Sequence, residues 1–289
     1  MKILLIPNID KPHAIQYTER TVEILSQLGI TITMSDRLEP HFSDRPIQFG
    51  EFFALLHGCD LVIAIGGDGT IIHCAKHAVE VGRPLLGINA GRLGFMAGLE
   101  FDELHKLSRL LTGEYTIDRR MMLRARHITP EGETSYLALN DVVVSRGSLS
   151  RIVDLSVTCN DRPVDAYRAD GIILATPTGS TAYSLSAGGP MVEPSLDSIS
   201  LTPICPHSLF ARTILFAADR RLSIRADVAE NEEVYITVDG QHGVPLRRQD
   251  ELVIEKSDTA VELIDMNDRP FYEIIHHKLL GRTLEQTGN

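Results

Sequence analysis

The amino-acid sequence predicts an α/β domain followed by an all-β domain. Before Glu100, apolar, β-branched runs alternate with segments of helical periodicity, which is the pattern of a sheet covered by helices. From Tyr115 to about Ile264, short alternating runs are separated by turn residues, as in a β-sandwich. With 43% hydrophobic residues, the 289-residue chain can bury two modest cores. We therefore expect two domains.

Charge and cysteine content argue against several classes of protein. Asp and Glu outnumber Lys and Arg by 39 to 28 without any basic block, so we expect neither a nucleic acid nor an anionic membrane as partner. Met1–Pro7 is too short for a signal peptide, and no segment approaches the roughly 20 apolar residues of a membrane helix. We expect a cytoplasmic protein. The scattered Cys59, Cys74, Cys159 and Cys205 predict reduced, mostly packed thiols.

The first domain is predicted to be a Rossmann-like sheet with helices. Apolar runs predict strands at Ile3–Ile6, Ile30–Met34, Asp60–Ile65 and Pro84–Ile88. Helical spacing predicts helices at His13–Leu28, Glu51–His57 and about Thr70–Val81. Gly29 stops the first helix and Gly82 the last, as glycine commonly does after a helix. The mixed polarity and two prolines of Ser35–Gly50 predict a long loop.

The second half begins with one helical segment, Phe101–Leu111, and then changes to strands. Turn signals punctuate these strands at Pro130-Glu131-Gly132, Arg146-Gly147, Asn160-Asp161 and Asp239-Gly240. A last helix is predicted at Phe271–Leu280. Together these patterns predict an α/β plus β fold, with an N-terminal α/β domain and a C-terminal β-sandwich domain.

A glycine-rich turn follows the third predicted strand and reads Gly66-Gly67-Asp68-Gly69-Thr70. Its glycines can take positive φ and lack a Cβ, so their N–H groups can approach a phosphate at the N-terminus of the next helix. Asp68 would repel that phosphate, but it suits a general base that accepts the proton of an attacking alcohol. The alternative is that Asp68 simply caps the helix.

A second motif, Asp170–Pro190, reads as a strand, a Pro/Gly turn and a short helix with hydroxyls near its N-terminus. With the glycine turn upstream and Asn140-Asp141 between the two motifs, the chain closely resembles the NAD kinase family. That family phosphorylates the adenosine ribose 2′-hydroxyl of NAD to make NADP. The resemblance runs over nearly the whole chain.

The resemblance implies a set of dinucleotide-binding residues. Besides Asp68 and Gly69, they are Asn140, Asp141, Arg151, Arg168, Asp170, Thr181, Ala182, Tyr183, Ser184, Leu185, Ser186 and Gln241. For the polar residues among them, the alternative role is hydrogen bonding at strand ends and caps. For Tyr183 it is half-buried packing. The loop Asn89–Phe95 faces the nucleotide in the family, or it is a plain connection between a strand and a helix.

The resemblance also implies the chemistry and the domain plan. Asp68 would be the catalytic base, and Gly66, Gly67, Gly69 and Thr70 would form the phosphate loop. ATP would donate its γ-phosphate, accompanied by Mg²⁺ or another divalent cation. We expect residues 1–98 to form the α/β domain, completed by the returning segment 270–289, and residues 99–269 to form the all-β NAD-binding domain. NAD kinases are usually homodimers or homotetramers, so we expect the same here.

Other kinds of site remain open at this point. Lipid or diacylglycerol-type kinases share the Gly-Gly-Asp-Gly turn, but their Pro-x-Gly-Thr-x-Asn-Asp loop has no match in Ile88–Gly94. A non-catalytic dinucleotide sensor would not need the intact Asp68. His73 and His77 share a helix face, but no third ligand is apparent, so no metal site is predicted. The sequence does not decide between ATP and polyphosphate, between NAD and NADH, or whether NADP(H) inhibits.

Overall fold

The computed structural model describes residues 1–91, 94–147, 152–227, 233–241, 243–267 and 270–276. The chain divides into two compact units: unit 1 is Met1–Arg119 together with the segment that begins at Val261, and unit 2 is Arg120–Ala260. The boundaries predicted at residues 98 and 270 therefore lie inside unit 1. The reason is that the segment after Glu100 contributes Leu104, Leu107 and Leu110 to the core of unit 1.

The strands and helices are as follows. The strands are β1 Lys2–Pro7, β2 Thr31–Ser35, β3 Gln48–Gly50, β4 Leu61–Gly66, β5 Leu85–Asn89, β6 Thr116–Thr129, β7 Gly132–Ala138, β8 Asp141–Arg146, β9 Val153–Cys159, β10 Arg162–Ala169, β11 Gly171–Ala175, β12 Ser198–Ile204, β13 Ile214–Ala217, β14 Leu222–Asp227, β15 Val234–Val238, β16 Val244–Pro245 and β17 Glu251–Asp265. The helices are α1 Ala14–Gln27, α2 Glu39–Phe42, α3 Phe52–His57, α4 Asp68–Glu80, α5 Arg109–Thr112 and α6 Tyr183–Ser186.

Unit 1 is built on a parallel sheet in the order β5-β4-β1-β2-β3. All six residues of β4 are buried, as expected of a central strand with both faces covered. Helix α4 follows β4 and buries Ile71, Cys74, Ala75 and Ala78, which share one face because of their helical spacing. The glycine turn thus lies at the carboxyl edge of the sheet, where α/β folds commonly bind ligands.

The long loop predicted at Ser35–Gly50 is wrong in part. The structure has a 3-10 helix at Asp36–Leu38, then α2 and the edge strand β3. Ser35 caps the first of these by accepting the N–H of Arg37, and Phe42 anchors α2 because it is fully buried. These elements depend on tertiary packing, which a short segment of mixed polarity does not reveal.

The helix predicted at Phe101–Leu111 is mostly a 3-10 helix, Phe101–Ser108, which continues into α5. Its buried leucines, Leu104, Leu107 and Leu110, recur every three residues. In a 3-10 helix, side chains three residues apart lie directly above one another. That spacing therefore places all three leucines on one face.

Unit 2 is a sandwich of two antiparallel sheets, which confirms the predicted class. One sheet has the order β10-β9-β14-β17, and the other has the order β13-β12-β11-β8-β15-β16. Alternate residues of β8 show the layering, because Val142 and Val144 join the core between the sheets whereas Val143 lies on the outer face. On that outer face Val143 packs with Ile173, Ala175 and the partly buried Ala187.

The end of the chain returns to unit 1 earlier than the predicted residue 270. Leu263 of β17 pairs with Leu85 in parallel. Asn267 then donates to the Gly98 carbonyl at 2.9 Å and to Glu103 Oε2 at 2.9 Å. Residues 271–276 form a helix, and the rest of the predicted helix lies outside the described residues.

Two further expectations concern cysteines and membranes. Cys59 and Cys74 are buried free thiols, whereas Cys159 is partly exposed and Cys205 is exposed. Burial raises the pKa of Cys74 to about 12, so this thiol stays protonated and unreactive. In the part of the chain that is described, no helix combines the length and apolar character needed to span a membrane.

Candidate active site

The glycine turn of unit 1 differs from the prediction in its backbone. None of Gly66, Gly67 and Gly69 has positive φ, and Gly67 is the extended N-cap of α4 with φ −92°. What matters is the missing Cβ: at Gly66 it would lie 2.4 Å from Thr70 Oγ1, whereas at Gly67 and Gly69 it would meet no atom within 4 Å. The turn therefore leaves open space at the N-terminus of a 13-residue helix, where an anion is stabilised.

Asp68 is the first residue of α4 and not its cap, because Gly67 occupies that position. Its carboxylate instead accepts backbone N–H groups from the following loop. Phe95 donates to both oxygens at 3.1 Å, and Met96 donates to Oδ1 at 3.3 Å. Gly94 permits this approach, since a Cβ there would lie 2.2 Å from Asp68 Oδ1. The loop thus holds the carboxylate of Asp68 in one orientation beside the glycine turn.

Thr70 is tied to the first strand through Asn8, a residue that the sequence reasoning missed. Asn8 Nδ2 donates to Thr70 Oγ1 at 3.1 Å, and the Asn8 N–H donates to the Ile65 carbonyl at 2.9 Å. Asn8 directly follows β1. A polar residue immediately after a buried parallel strand is the signal that would have found it.

In unit 2, Asn140 and Asp141 lie on a turn that leads into β8. The carboxylate of Asp239 accepts three consecutive backbone N–H groups of this turn, from Leu139 at 3.0 Å, Asn140 at 2.8 Å and Asp141 at 3.2 Å. Asp239 and Gly240 both have positive φ, as in a type I′ turn. The sequence identified this Asp-Gly pair only as a turn, so the function of the Asp239 carboxylate was missed.

The side chain of Asn140 presents a buried acceptor. Its Oδ1 is inaccessible to solvent and has no hydrogen-bond partner among the described residues. An unsatisfied buried acceptor costs about 1–3 kcal/mol. Such atoms are rare in folded proteins and commonly indicate a missing partner. A ligand that donates a hydrogen bond would remove this cost.

Asp141 is nearly inaccessible, at 5% exposure. Burial, and then the negative charge of Asp239, raise the pKa of Asp141 to about 7. Both causes act in the same direction, because burial and a like charge each disfavour the ionised carboxyl group. Asp141 therefore changes between an acceptor and a donor close to neutral pH.

The segment after β11 folds over the outer face of its sheet. Thr176 Oγ1 donates to the Leu139 carbonyl at 2.6 Å, and the Val192 N–H donates to Ser180 Oγ at 2.9 Å. Of the predicted contact residues, Tyr183 and Ser186 are exposed, whereas Thr181, Ala182 and Leu185 are half-buried. Ser184 is fully buried and its hydroxyl bonds Thr202 at 3.0 Å, so it holds the segment in place. Tyr183 is 46% exposed, which leaves both dinucleotide contact and half-buried packing open for it.

The structure separates Asp170 and Arg168 from Asn140 and Asp141. In β11, Ala175 pairs with Asp141 whereas Gly171 pairs with Ser145, so Asp170 lies at the opposite end of the strand, roughly 17 Å away. At that end, Asp170 Oδ1 accepts a hydrogen bond from Arg146 Nε at 2.7 Å. The sequence reasoning missed this partner. Arg168 is exposed.

Three further predictions concern Gln241, Arg151 and the loop after β5. Gln241 follows Gly240 at the Asp141 end of the sheet, and it is exposed. Arg151 lies outside the described residues, as do Arg92 and Leu93 of the loop Asn89–Phe95.

The histidines of α4 pack with aromatic rings. The rings of His73 and His77 are perpendicular at 5.1 Å, and Phe52 lies 5.0 Å from His77. Burial and His73 lower the pKa of His77. In the described ranges, no group of three or more His, Cys, Asp or Glu side chains is arranged to hold a metal ion.

Comparisons with known proteins agree with this arrangement of motifs. The family model of the ATP-NAD kinase N-terminal domain matches residues 3–115, and that of the ATP-NAD kinase C-terminal domain matches residues 139–266. An NAD kinase of Acetivibrio thermocellus is 38% identical over 285 residues, which cover 98% of each chain. An NAD kinase of Magnetococcus marinus is 40% identical over 279 residues, covering 95% of this chain and 92% of the relative.

Two solved structures share the fold. Yeast NADH kinase complexed with NADH has a TM-score of 0.85 and 24% identity, across 97% of this chain and 87% of that chain. An NAD kinase from Archaeoglobus fulgidus in complex with ATP has a TM-score of 0.71 and 24% identity, across 96% and 98%. Because two family models span most of the residues and relatives are 38% and 40% identical over nearly the full length, this chain belongs to the NAD kinase family.

Proposed function

We propose that this protein is an NAD kinase that transfers the γ-phosphate of ATP to the adenosine ribose 2′-hydroxyl of NAD, giving NADP. The observation that carries the proposal is the carboxylate of Asp68, oriented by backbone N–H groups beside an open glycine turn at the start of α4. This arrangement suits an alcohol as acceptor, because it places a proton acceptor next to a phosphate-binding turn.

In the proposed reaction, Asp68 orients the 2′-hydroxyl and takes its proton. The ribose oxygen then forms a bond to the γ-phosphorus, the bond from that phosphorus to the β,γ-bridging oxygen breaks, and ADP leaves. Phosphoryl transfer of this kind depends mainly on positioning and on neutralising charge. No covalent intermediate on the protein is required.

The glycine turn would bind the phosphates. Gly67 and Gly69 leave room for them, and the N-terminus of α4 supplies backbone donors and a favourable dipole. Mg²⁺, or another divalent cation, would be held mainly by the phosphates of ATP, and Asp68 is the carboxylate that this turn itself carries. When bound, the cation would offset negative charge on the transferred group.

Unit 2 would bind the dinucleotide. The Oδ1 of Asn140 would accept a hydrogen bond from it once the atoms that cover this oxygen move aside, and Asp141 would contact the same region. Thr181, Ala182, Tyr183, Leu185 and Ser186 would line the segment on the outer face of the sheet, with Gln241 beyond β15. Ser184 would act indirectly, through its bond to Thr202. Arg151 is proposed as a dinucleotide-binding residue only because of the family resemblance.

We further propose that the protein is a homodimer or homotetramer. Leu209 and Phe210 are adjacent and are 86% and 90% exposed, and contact with a second copy would remove these apolar side chains from water. Asp170, just before β11, lies too far from Asn140 to reach the group that Asn140 contacts, and Arg168 lies two residues earlier, near the end of β10. If they also contact NAD, they either reach a distant part of it or come from a second copy.

We also propose that the enzyme acts in the cytoplasm, with the small molecules NAD and ATP as its partners. Its formal charge of −11 disfavours a nucleic acid or an anionic membrane surface as a partner.

The decisive experiment is incubation of the purified protein with NAD, ATP and Mg²⁺, read as NADP formation. A parallel reaction with diacylglycerol in place of NAD addresses the lipid-kinase alternative, which the comparisons do not favour. We expect NADP and no lipid phosphate. Binding of NAD without any NADP formation would overturn the proposal in favour of a dinucleotide sensor.

A further inference from the structure

Asp239 bonds the backbone of the segment that carries Asn140 and Asp141, and it does so from the turn after β15, about a hundred residues later. It accepts the N–H groups of three successive residues, Leu139, Asn140 and Asp141. Its own N–H returns a bond to the Asp141 carbonyl at 2.9 Å. Hydrogen bonds to an ionised carboxylate are shorter and stronger than neutral ones, so Asp239 is a firm anchor for this turn.

The opposite side of the same turn is fixed as well. Thr176 donates its N–H to the Asn140 carbonyl at 2.9 Å, and its hydroxyl to the Leu139 carbonyl at 2.6 Å. Gly179 packs so closely that an added Cβ would lie 2.0 Å from the backbone carbonyl oxygen of Asn140. Both the N–H groups and the carbonyls of the turn are therefore held by named partners.

This fixation explains how Asn140 can keep a buried acceptor without a protein partner. A mobile turn would let the amide rotate toward water, which would satisfy Oδ1 and remove the cost of burying it. A rigid turn keeps the Asn140 side chain in one position, so a ligand that displaces the atoms covering Oδ1 meets an acceptor that is already in place. Preorganisation of this kind increases affinity because the ordering cost is met before the ligand binds.

We propose that Asp239 is a positioning residue for dinucleotide binding, which fixes the backbone of Leu139–Asp141 so that Asn140 Oδ1 and Asp141 are presented to NAD. The inference rests on the proposed contact of Asn140 and Asp141 with NAD. Asp239 does not touch the reacting atoms, so its loss should weaken NAD binding and leave the chemical step nearly intact. A residue needed only for folding would not produce that split.

The test is Asp239→Asn, compared with the parent for NAD KM, kcat and thermal midpoint. Asn-Gly is the preferred pair in a type I′ turn, so this change keeps the turn and removes only the charge and one acceptor oxygen. We expect NAD KM to rise about 10-fold or more, because charge-assisted bonds to the turn are lost. We expect kcat to change less than about twofold.

Asp250→Asn is the matched control. Asp250 is also a buried carboxylate of unit 2, at 2% exposure, and it accepts the Arg247 N–H at 2.9 Å and contacts His127 Nε2 at 2.9 Å. It lies on a different turn. Its hydrogen-bond partners in the described part of the chain include none of the proposed dinucleotide-binding residues. We expect Asp250→Asn to lower the thermal midpoint and to leave NAD KM unchanged.

A third variant, Asn140→Ala, separates this inference from the proposed function. If Asn140→Ala leaves NAD KM unchanged, the proposed contact itself fails. If Asn140→Ala raises NAD KM but Asp239→Asn does not, the positioning role of Asp239 is overturned while the NAD site stands. A fall in thermal midpoint for Asp239→Asn with unchanged NAD KM, as in the control, would likewise show that Asp239 is only structural.

Discussion

At the scale of single residues, the structure removes one of the two roles that the sequence left open for Asp68. From the sequence, Asp68 is either a helix cap or a general base. In the structure Gly67 is the cap, and Asp68 instead bonds the backbone at Phe95 and Met96. The remaining structural role is to tether that loop, and this role can be separated from proton transfer by an isosteric change.

We predict that Asp68→Asn lowers kcat by about 10²- to 10⁴-fold, because the amide cannot take the proton of the 2′-hydroxyl. The amide oxygen can still accept an N–H from Phe95 or Met96, so the thermal midpoint should fall only slightly. The NAD dissociation constant should be similar to that of the parent. Steady-state kinetics, thermal unfolding and calorimetry in one buffer with Mg²⁺ measure all three.

Glu51→Gln is the control for this variant. Glu51 likewise accepts two backbone N–H groups, at Phe53 and Ala54, where it caps α3. These bonds lower the pKa of Glu51, yet the residue has no proposed part in catalysis. Its replacement should leave kcat unchanged. If Asp68→Asn retained most of its kcat, or were inactive only because it had unfolded, the general-base role would be wrong.

The raised pKa of Asp141 predicts that the stability of the folded protein depends on pH. Its pKa is raised from 3.8 to about 7 in the folded protein, so between these values the folded state holds a proton that the unfolded state has released. The contribution of this proton to stability is therefore complete below about pH 4 and is lost as the pH rises to about 7. A shift of this size corresponds to a few kcal/mol, on the order of 1.4 kcal/mol per unit.

Urea unfolding of the parent and of Asp141→Asn between pH 4.5 and 8 measures this contribution. The difference between the two free energies of unfolding should change steadily as the pH rises to about 7 and should then become constant. A difference that is the same at every pH would mean that Asp141 ionises normally in the folded protein.

At the scale of elements, the segment after β11 depends on one close approach. Gly179 lies against the Asn140 carbonyl, where a Cβ would come within 2.0 Å of a backbone oxygen. Backbone cannot move aside as a flexible side chain can, so even a methyl group must displace the turn. Overpacking of this kind typically costs about 1–3 kcal/mol.

We predict that Gly179→Ala lowers the free energy of unfolding by about 1–3 kcal/mol and raises NAD KM, because the displaced turn carries Asn140. Gly58→Ala is the control. Gly58 has φ −94°, and a Cβ there would lie 3.4 Å from its nearest neighbour, so the change should be small. If Gly179→Ala behaved like Gly58→Ala in denaturant unfolding and kinetics, the close approach would not constrain the site.

At the scale of the whole molecule, Leu209 and Phe210 are the two most exposed large apolar side chains among the described residues. Each side chain is more than four-fifths exposed, so neither contributes much to the core of its own chain. Burial of such side chains against a second copy would be favourable, by about 1.5–3 kcal/mol for each fully buried side chain.

We predict that the double variant Leu209→Ser, Phe210→Ser dissociates the dimer or tetramer without unfolding the chain. Sedimentation at micromolar concentration measures the assembly, and circular dichroism checks the fold. Leu111→Ser is the control, since Leu111 is an exposed leucine of unit 1 at 52% exposure and should leave the assembly unchanged. A parent protein that is monomeric, or a double variant that assembles as the parent does, would contradict the prediction.

The elements that the sequence predicted well are those that local physics determines. The strands at β1, β2, β4 and β5 and the helices α1 and α4 were placed to within a few residues, because buried parallel strands and amphipathic helices carry their own periodicity. The short elements within Ser35–Gly50 were missed, and the predicted helix at Phe101–Leu111 proved to be mostly a 3-10 helix, because these short elements depend on what they pack against.

By itself, the sequence determined the α/β plus β class, the glycine turn and the motifs that identify the family. Only the tertiary structure decided which groups hold the site residues. Asp68 meets Phe95, which is 27 positions later, and Asp239 meets Asn140, which is 99 positions earlier. Hydrogen bonds between residues this far apart leave no periodic signal in the sequence. The partner of each carboxylate is set by how the chain packs, and the roles of Asp239 and Asn8 could be recognised only in the folded protein.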